Sequence, residues 1–488
     1  MLAKSDESDS KRYQIAGYTP DSLVAFFCRH GTASDREQIK EKEQIKFLLR
    51  YCKDEKVKSL IFEDEYVDQF FSADYSGYYA HPFQKYSKFC SRLHFLTAEV
   101  SDAQFVELIG SSANPETIAA DLGYCGFIVI KPLPYTMIGR TCLRPQAAAD
   151  DPARMHFPTL LPIKANLFGL PLSIDSLPFQ EQDREVAACA TSALWTALYA
   201  TARTYQHRLL SPLQITRLAS RALPTLTRTL PNDGLLVDHM ISVIRAVRLE
   251  CEVVNLEDST EESCQSYIAA YLRSGIPLIL SFDLSNGAAK KDGPTAEQLH
   301  AVAVTGYRTK KGPVPPKPGK DPRLRLRAAL IDRLYVHDDR IGPFAPIGIQ
   351  PNSSTITTSW TSDDGKEQQA ADPGGRQAAL FGLTIPIHRQ VRIPYLVILA
   401  AIQDLNGFLG LSINRGTMPG HLRNPEWDIY LVELNQLRQD IRKDKSIPEP
   451  DKLAVLTDSM SHFLWRAIGY VNDKPSIDLL FDATDLRQ

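Results

Sequence analysis

The chain has 488 residues, of which 43% are hydrophobic and 23% are charged, a composition typical of a soluble protein with two or three domains. Its formal net charge of −3 at pH 7 excludes a strongly basic protein, and we therefore expect no nucleic-acid partner. None of the eight cysteines stands in a CxxC pair, which excludes a dense disulfide framework and the usual spacing of zinc ligands. We expect reduced thiols, no metal, no cofactor and a cytoplasmic location.

The first third of the chain predicts a polar tail followed by a domain of mixed α/β character. Residues 1–12 are polar, lack the apolar core of a signal peptide and are predicted to be a disordered tail. Residues 13–150 are predicted to form an N-terminal α/β domain, with a helix from Glu41 to Tyr51 and a strand over residues 126–132. No apolar run in the chain approaches the roughly 20 residues that span a bilayer, so we expect no membrane partner.

The second predicted domain covers residues 161–349 and contains the most informative cysteine of the chain. Cys189 ends a polar segment and opens a stretch rich in Ala and Leu that has no Gly or Pro. This pattern predicts a buried helix with Cys189 in its first turn. A helix N-terminus presents free N–H groups and a partial positive charge, which favour a thiolate over a thiol.

Two later strands of this domain carry a histidine and a carboxylate. His300 begins the apolar sequence HAVAVTGY, Asp338 ends the sequence LYVHD, and both sequences predict strands. A nucleophilic thiol needs an imidazole that accepts its proton and a third polar group that orients the imidazole. Cys189, His300 and Asp338 can fill these roles, with Asp339 as a rival for the third. The N–H of Cys189 and the side-chain amide of Gln182 are the candidate donors to an oxyanion.

The remaining segments predict an insertion, a linker and a C-terminal region. Residues 308–327 contain eight basic residues, one acidic residue and several prolines, which favours a solvated hairpin tip. If this tip binds a partner, its charge favours an acidic protein or nucleic acid. Residues 350–377 are polar and are predicted to be a flexible loop or linker. Residues 378–488 are predicted to be a mixed region that either stands alone or completes the middle unit.

The segment from about Gln182 to Pro346 resembles papain-like cysteine peptidases and is most similar to the bacterial branch that includes the leader peptidases of peptide exporters. The resemblance rests on Gln182, on Cys189 at the start of an apolar helix, on HAVAVTGY from His300 and on YVHD ending at Asp338. It implies an α+β fold whose papain-like core has a helical half and an antiparallel sheet half. It also implies catalytic roles for Cys189, His300, Asp338 and Gln182.

The resemblance predicts a cysteine peptidase that cleaves a protein or peptide substrate, in a selective processing or effector role. The flanking regions offer a place for a regulatory protein partner. The alternative is a binding or regulatory module on a peptidase-like fold, and a third interpretation is acyl transfer or deamidation by the same side chains. Two departures from the family leave room for the alternative, since Ala190 stands where Gly is frequent and Asp339 replaces the usual Pro. A third departure concerns the oxyanion donor, since Gln182 lies seven rather than six positions before Cys189.

Overall fold

The structure is a computed structural model in which helices pack on several antiparallel sheets, and this confirms the predicted α+β class. It describes residues 11–29, 36–111, 114–146, 152–183, 185–222, 230, 234–256, 261–283, 299–314, 324–349, 355–357, 377–445 and 447–485. Residues 1–10 of the predicted tail lie outside the described residues, as does most of the predicted linker.

A five-stranded antiparallel sheet forms the N-terminal part of the protein. Its strands, which follow one another in space as they do in the chain, are β1 (Tyr13–Gly17), β2 (Ser59–Tyr66), β3 (Cys90–Leu96), β4 (Tyr124–Ile130) and β5 (Ile138–Leu143). The helices of this part are α1 (Pro20–Cys28), α2 (Arg36–Glu41), α3 (Glu43–Asp54), α4 (Gln69–Asp74), α5 (Asp102–Gly110) and α6 (Pro115–Asp121). The predicted helix and strand are therefore present, with the helix interrupted at Lys42 and the strand shifted by two residues.

Helix α3 packs on this sheet because its apolar residues recur at helical spacing. Ile45, Leu48 and Cys52 are buried at intervals of three and four residues, and Phe47 and Tyr51 extend the same face. Strand β4 is buried at all seven positions, as expected for a strand covered on both faces. One buried cluster joins this sheet to the strands of the middle part, so α3 is fixed relative to the site described below.

The middle part combines helices with a larger sheet. Its helices are α7 (Cys189–Tyr205), α8 (Pro212–Ala222), α9 (Val237–Ala246) and α10 (Glu261–Leu272). Its strands are β6 (Met155–His156), β7 (Leu161–Leu167), β8 (Leu170–Ser176), β9 (Leu249–Asn255), β10 (Leu278–Asp283), β11 (Leu299–Thr309), β12 (Arg325–Leu326), β13 (Ile331–Asp338), β14 (Gly342–Ile349), β15 (Thr355–Thr357) and β16 (Gln377–His388). Within the described part of the chain, strands β7 and β8 pair only with each other, as a hairpin whose buried and exposed positions alternate.

The larger sheet closes on itself. Its order is β10-β11-β13-β14-β15-β16-β9, with β6 on β11, and β10 also pairs with β16. This additional pairing closes the six strands from β10 to β16 into a barrel, which removes two sheet edges. Strand β15 lies within the segment predicted as a linker, so residues 355–357 of that segment belong to the barrel. Strand β16 shows that the C-terminal region contributes a strand to the middle part.

The rest of the C-terminal region forms a four-stranded sheet with the order β12-β17-β18-β19. Its elements are α11 (Tyr395–Asn414), β17 (Glu426–Glu433), α12 (Leu434–Lys443), α13 (Glu449–Thr457), β18 (Phe463–Val471) and β19 (Lys474–Asp482). Strand β12 comes from the basic segment and pairs in parallel with β17.

The basic segment is exposed over residues 310–313 and forms ion pairs at both of its described ends. Arg308 pairs with Asp332 through both carboxylate oxygens, at 3.0 and 2.9 Å. Arg325 and Arg327 both pair with Glu426 of the C-terminal sheet. These ion pairs neutralise part of the local positive charge within the fold. Residues 315–323 lie outside the described residues, so the solvated hairpin tip stays a prediction.

Helix α11 is an exception to the expected lack of long apolar runs. Among the described residues it is the one helix long and apolar enough to cross a membrane, with a hydropathy of 1.7 over a window that is 33% buried. Its inner face is anchored by Asn406, whose Oδ1 accepts a hydrogen bond from Trp427 Nε1 at 3.1 Å. Leu396, Phe408 and other apolar side chains are exposed on its outer face. The predicted lack of a membrane partner stays a prediction.

Candidate active site

Cys189 is the first residue of helix α7, as the sequence predicts. The preceding residue, Ala188, is the N-cap in an extended conformation and has no side chain that can accept a hydrogen bond from the first turn. Thirteen residues of the helix, from Ala190 to Ala202, are buried. A helix N-terminus without a capping side chain leaves its N–H groups and its positive end directed at whatever lies beside Cys189.

The loop before Cys189 is held by Asp183 rather than by a helix cap. Asp183 Oδ1 accepts hydrogen bonds from the backbone N–H groups of Glu185, Val186 and Ala187, at 3.1, 2.8 and 2.9 Å. Its Oδ2 accepts a hydrogen bond from the hydroxyl of Tyr79 at 2.8 Å. These four bonds fix the segment that connects Gln182 to the cysteine.

His300 and Asp338 meet because β11 and β13 are antiparallel neighbours. His300 lies near the start of β11, and Asp338 is the last residue of β13. His300 Nε2 and Asp338 Oδ1 are 3.0 Å apart and form a buried hydrogen bond, and the same oxygen accepts the N–H of Arg340. The nearest oxygen of Asp339 lies 3.8 Å from His300 Nε2. Of the two rival carboxylates, Asp338 is therefore the one that is hydrogen-bonded to the imidazole.

Helix α7 brings Cys189 to the same histidine. Ala190 and Ala193 of α7 belong to one buried cluster with Ala301 and Ala303 of β11, and Cys189 packs against that cluster. The side chain of Cys189 lies close enough to His300 to help stabilise the protonated imidazole. Since Asp338 engages Nε2, Nδ1 is the ring nitrogen left for the thiol. The thiol is half-buried, whereas His300 is 1% exposed.

The charges around His300 favour its protonated form. Burial alone lowers the pKa of His300, but the attraction and hydrogen bond of Asp338, helped by the nearby Cys189 side chain, outweigh it and raise the pKa to about 10. Burial and the charge of Asp338 raise the pKa of Asp339 to about 6 despite the nearby imidazole. At neutral pH the site therefore contains an imidazolium beside a thiol, which is the arrangement that stabilises a thiolate.

Gln182 lies on the wall of a large cleft. It is half-buried, and its side chain makes no hydrogen bond within the described part of the chain. The cleft has a volume of about 910 Å³, and its lining includes Gln182, Asp339 and Arg340. Tyr86 and Tyr135 line it from the N-terminal part. The role of Gln182 as an oxyanion donor stays a prediction, since a free amide beside the cleft is compatible with it.

His300, Asp338 and Asp339 also form a group with the spacing of metal ligands. One ligand atom from each residue lies within 4.8 Å of the others. The same three residues were identified from the sequence for thiol catalysis, and no metal was expected, since none of them stands at the usual ligand spacing along the chain. The imidazole nitrogen that would bind a metal is already hydrogen-bonded to Asp338, so a metal would have to displace that bond. The predicted lack of a metal and of a cofactor stays a prediction.

Three residues close to the site were not identified from the sequence. Asp183 has a recognisable signal, since an Asp shortly before a helix commonly accepts the N–H groups of the residues that follow it. Lys42 and Gln44 have no such signal, because they lie more than 130 positions from Glu181 and Asp339, which they contact.

The chain matches no known protein-family model, and no curated protein is significantly similar to it.

Proposed function

We propose that this protein is a cysteine peptidase in which Cys189, His300 and Asp338 act together. The observation that carries the proposal is that His300 is hydrogen-bonded to Asp338 at 3.0 Å, while Cys189 at the start of α7 lies close enough to favour the protonated imidazole. The three residues come from one helix and two strands and converge within a largely buried core. An imidazole between a carboxylate and a thiol is the arrangement that nucleophilic thiol catalysis requires.

The proposed reaction is hydrolysis of a peptide bond, in which the protonated His300 acts first as an acid and then, once neutral, as a base. The Cys189 thiolate attacks the carbonyl carbon of a peptide bond, while the N–H of Cys189 and the amide of Gln182 donate hydrogen bonds to the resulting oxyanion. As the C–N bond breaks, the His300 imidazolium donates its proton to the leaving amine and a thioester forms. The neutral imidazole then accepts a proton from water as the water oxygen attacks the thioester. Breakage of the C–S bond releases the carboxylic acid product and restores the thiolate and the imidazolium.

The size of the cleft supports a protein or peptide as the substrate. Its volume of about 910 Å³ lies at the upper end of the range for ligand sites, which suits a protein or peptide segment better than a small metabolite. The cleft is walled on one side by the N-terminal part of the chain. We propose a selective processing or effector peptidase of the cytoplasm, with a regulatory protein partner acting through the flanking regions.

A second function is favoured by the burial of the site. His300 and Asp338 are each 1% exposed, and the lining of the cleft includes Gln182 and Asp339 but not Cys189. A protein that only binds a peptide in this cleft would use the buried triad for structure. The alternative is therefore a binding or regulatory module on a peptidase-like fold.

Peptide digestion distinguishes the two functions. Purified protein is incubated with a complex mixture of peptides, and new termini are identified by mass spectrometry, with Cys189→Ala as the matched inactive control. The peptidase proposal predicts cleavages that appear with wild type and disappear with Cys189→Ala. Binding of peptides without any cleavage by the wild-type protein would favour the module.

A further inference from the structure

The N-terminal part of the chain touches the candidate active site through the first turn of helix α3. This helix begins at Glu43, and Lys42 is its N-cap residue in an extended conformation. Lys42, Glu43 and Gln44 all line the 910 Å³ cleft, together with Gln182 and Asp339. The first turn of α3 therefore lies at the cleft from which a substrate would approach.

Gln44 binds the segment that follows β13. Its side-chain Nε2 donates a hydrogen bond to the backbone carbonyl of Asp339 at 2.7 Å. Asp339 follows directly on Asp338, whose carboxylate orients His300. A bond to a backbone carbonyl fixes the path of the chain, so Gln44 limits where the Asp338 side chain can lie.

Lys42 binds the segment that precedes α7. Its ammonium forms an ion pair with Glu181 and donates a hydrogen bond to the backbone carbonyl of Tyr135. The Glu181 side chain is only 6% exposed, and its other oxygen accepts the N–H of Ile138 at 3.2 Å. Gln182 is the next residue along the chain, so this ion pair fixes the start of the predicted oxyanion donor.

A third contact keeps the helix against the same turn. Gly342 lies at the start of β14, four positions after Asp338. A Cβ at Gly342 would lie 2.7 Å from the ring of Phe47 in α3, which shows that the helix and the turn are in close contact. The two active-site segments are 158 positions apart in sequence (339 − 181), yet Lys42 at the N-cap of α3 and Gln44 in its first turn bind one segment each.

We propose that Lys42 and Gln44 are positioning residues of the active site, and that the N-terminal part is an integral component of the catalytic unit rather than only a substrate-recruiting appendage. This inference rests on the proposed function of Cys189. It goes beyond that function because it proposes that α3 holds the segment of Gln182 and the segment of Asp338 at a fixed distance from each other. Neither residue contacts the thiol, so both act through the segments that they bind.

The test measures the rate at which iodoacetamide modifies Cys189 at pH 7 in the full-length protein. Gln44→Glu replaces the amide donor with a carboxylate that faces the Asp339 carbonyl as a second acceptor, and we expect the rate to fall about tenfold, the value of one hydrogen bond. Gln44→Lys keeps a donor and should retain the rate within about threefold, by the same relation. Lys53→Gln changes the net charge as Gln44→Glu does, but at an exposed position on the same helix, and should behave like wild type.

Gln44→Ala, which removes the donor without adding a charge, should give a rate between those of wild type and Gln44→Glu. If Cys189 of Gln44→Glu is modified as fast as in wild type, the positioning role of α3 is wrong and the proposed function is untouched. Equal losses in Gln44→Glu, Gln44→Lys and Lys53→Gln would also overturn the inference, because they would indicate a general structural effect. If Cys189 of the wild-type protein reacts no faster than Cys28, both this inference and the proposed function fail.

Discussion

Replacing Asp338 by Asn should remove a pH-dependent contribution to stability. In the folded protein the pKa of His300 is raised to about 10, above its ordinary value of 6.5, chiefly because Asp338 outweighs the effect of burial. A group whose pKa is higher in the folded state stabilises the fold fully below its unfolded pKa. This contribution is then lost as the pH rises from 6.5 towards 10.

The magnitude follows from the proton that the folded state retains. Within this window the free energy of unfolding falls by about 1.36 kcal/mol per pH unit for one such group. Between pH 7 and pH 9 the stability difference between wild type and Asp338→Asn should therefore shrink by roughly 2–3 kcal/mol. The window starts at pH 7 because Asp339, with a pKa raised to about 6, titrates below it.

Urea unfolding followed by tryptophan fluorescence measures this difference at pH 7, 8 and 9. Asp332→Asn is a matched control on the same strand, since Asp332 pairs with the guanidinium of Arg308, which does not titrate in this range. The control should lose stability by an amount that does not change with pH. If the loss for Asp338→Asn is equally independent of pH, the claim that Asp338 keeps His300 protonated is wrong.

Three further predictions test other parts of the structure. Gly342→Ala should lower the unfolding free energy by about 1–3 kcal/mol, because Gly342 has a φ of +155° and a Cβ there would meet Phe47 at 2.7 Å. An unchanged unfolding midpoint would contradict the contact. Asn406→Leu should cost about 1–3 kcal/mol, because it leaves the buried indole N–H of Trp427 without its acceptor, and an unchanged midpoint would exclude that role. Prolonged treatment with EDTA should leave the alkylation rate of Cys189 unchanged, and a loss restored by added Zn²⁺ would instead support a metal at the His-Asp group.

Local sequence patterns predicted the elements that carry the candidate site. An Ala- and Leu-rich stretch without Gly or Pro forms a helix that begins at Cys189, and the apolar runs around His300 and Asp338 form strands. The choice between Asp338 and Asp339 was beyond the sequence, because Asp338 ends strand β13, Asp339 follows it directly, and both carboxylates lie within 3.8 Å of His300 Nε2. Only the three-dimensional structure shows that Asp338 is the nearer of the two, at 3.0 Å against 3.8 Å.

Long-range pairings account for most of what the sequence did not predict. The apolar region after residue 377 divides into strand β16 and helix α11, and only the pairing of β16 with β9 and β10 shows that it belongs to the barrel. The contacts of Lys42 and Gln44 are also long-range, since each joins residues more than 130 positions apart in the chain. Single side chains on a helix carry no local signal of a partner that lies far away in the chain.

The most direct test of the account is the competition among the cysteines for iodoacetamide at pH 6, with the modified residues located by mass spectrometry. Among the described residues, Cys28, Cys189 and Cys251 are the half-buried thiols, so access alone does not distinguish them. Burial raises the pKa of Cys28 and raises that of Cys251 to about 12, which makes both poor nucleophiles at this pH. We predict that Cys189 is modified at least about tenfold faster than either, and that His300→Ala removes the preference. Modification of Cys28 as fast as Cys189 in the wild-type protein would contradict an activated thiol at the start of α7.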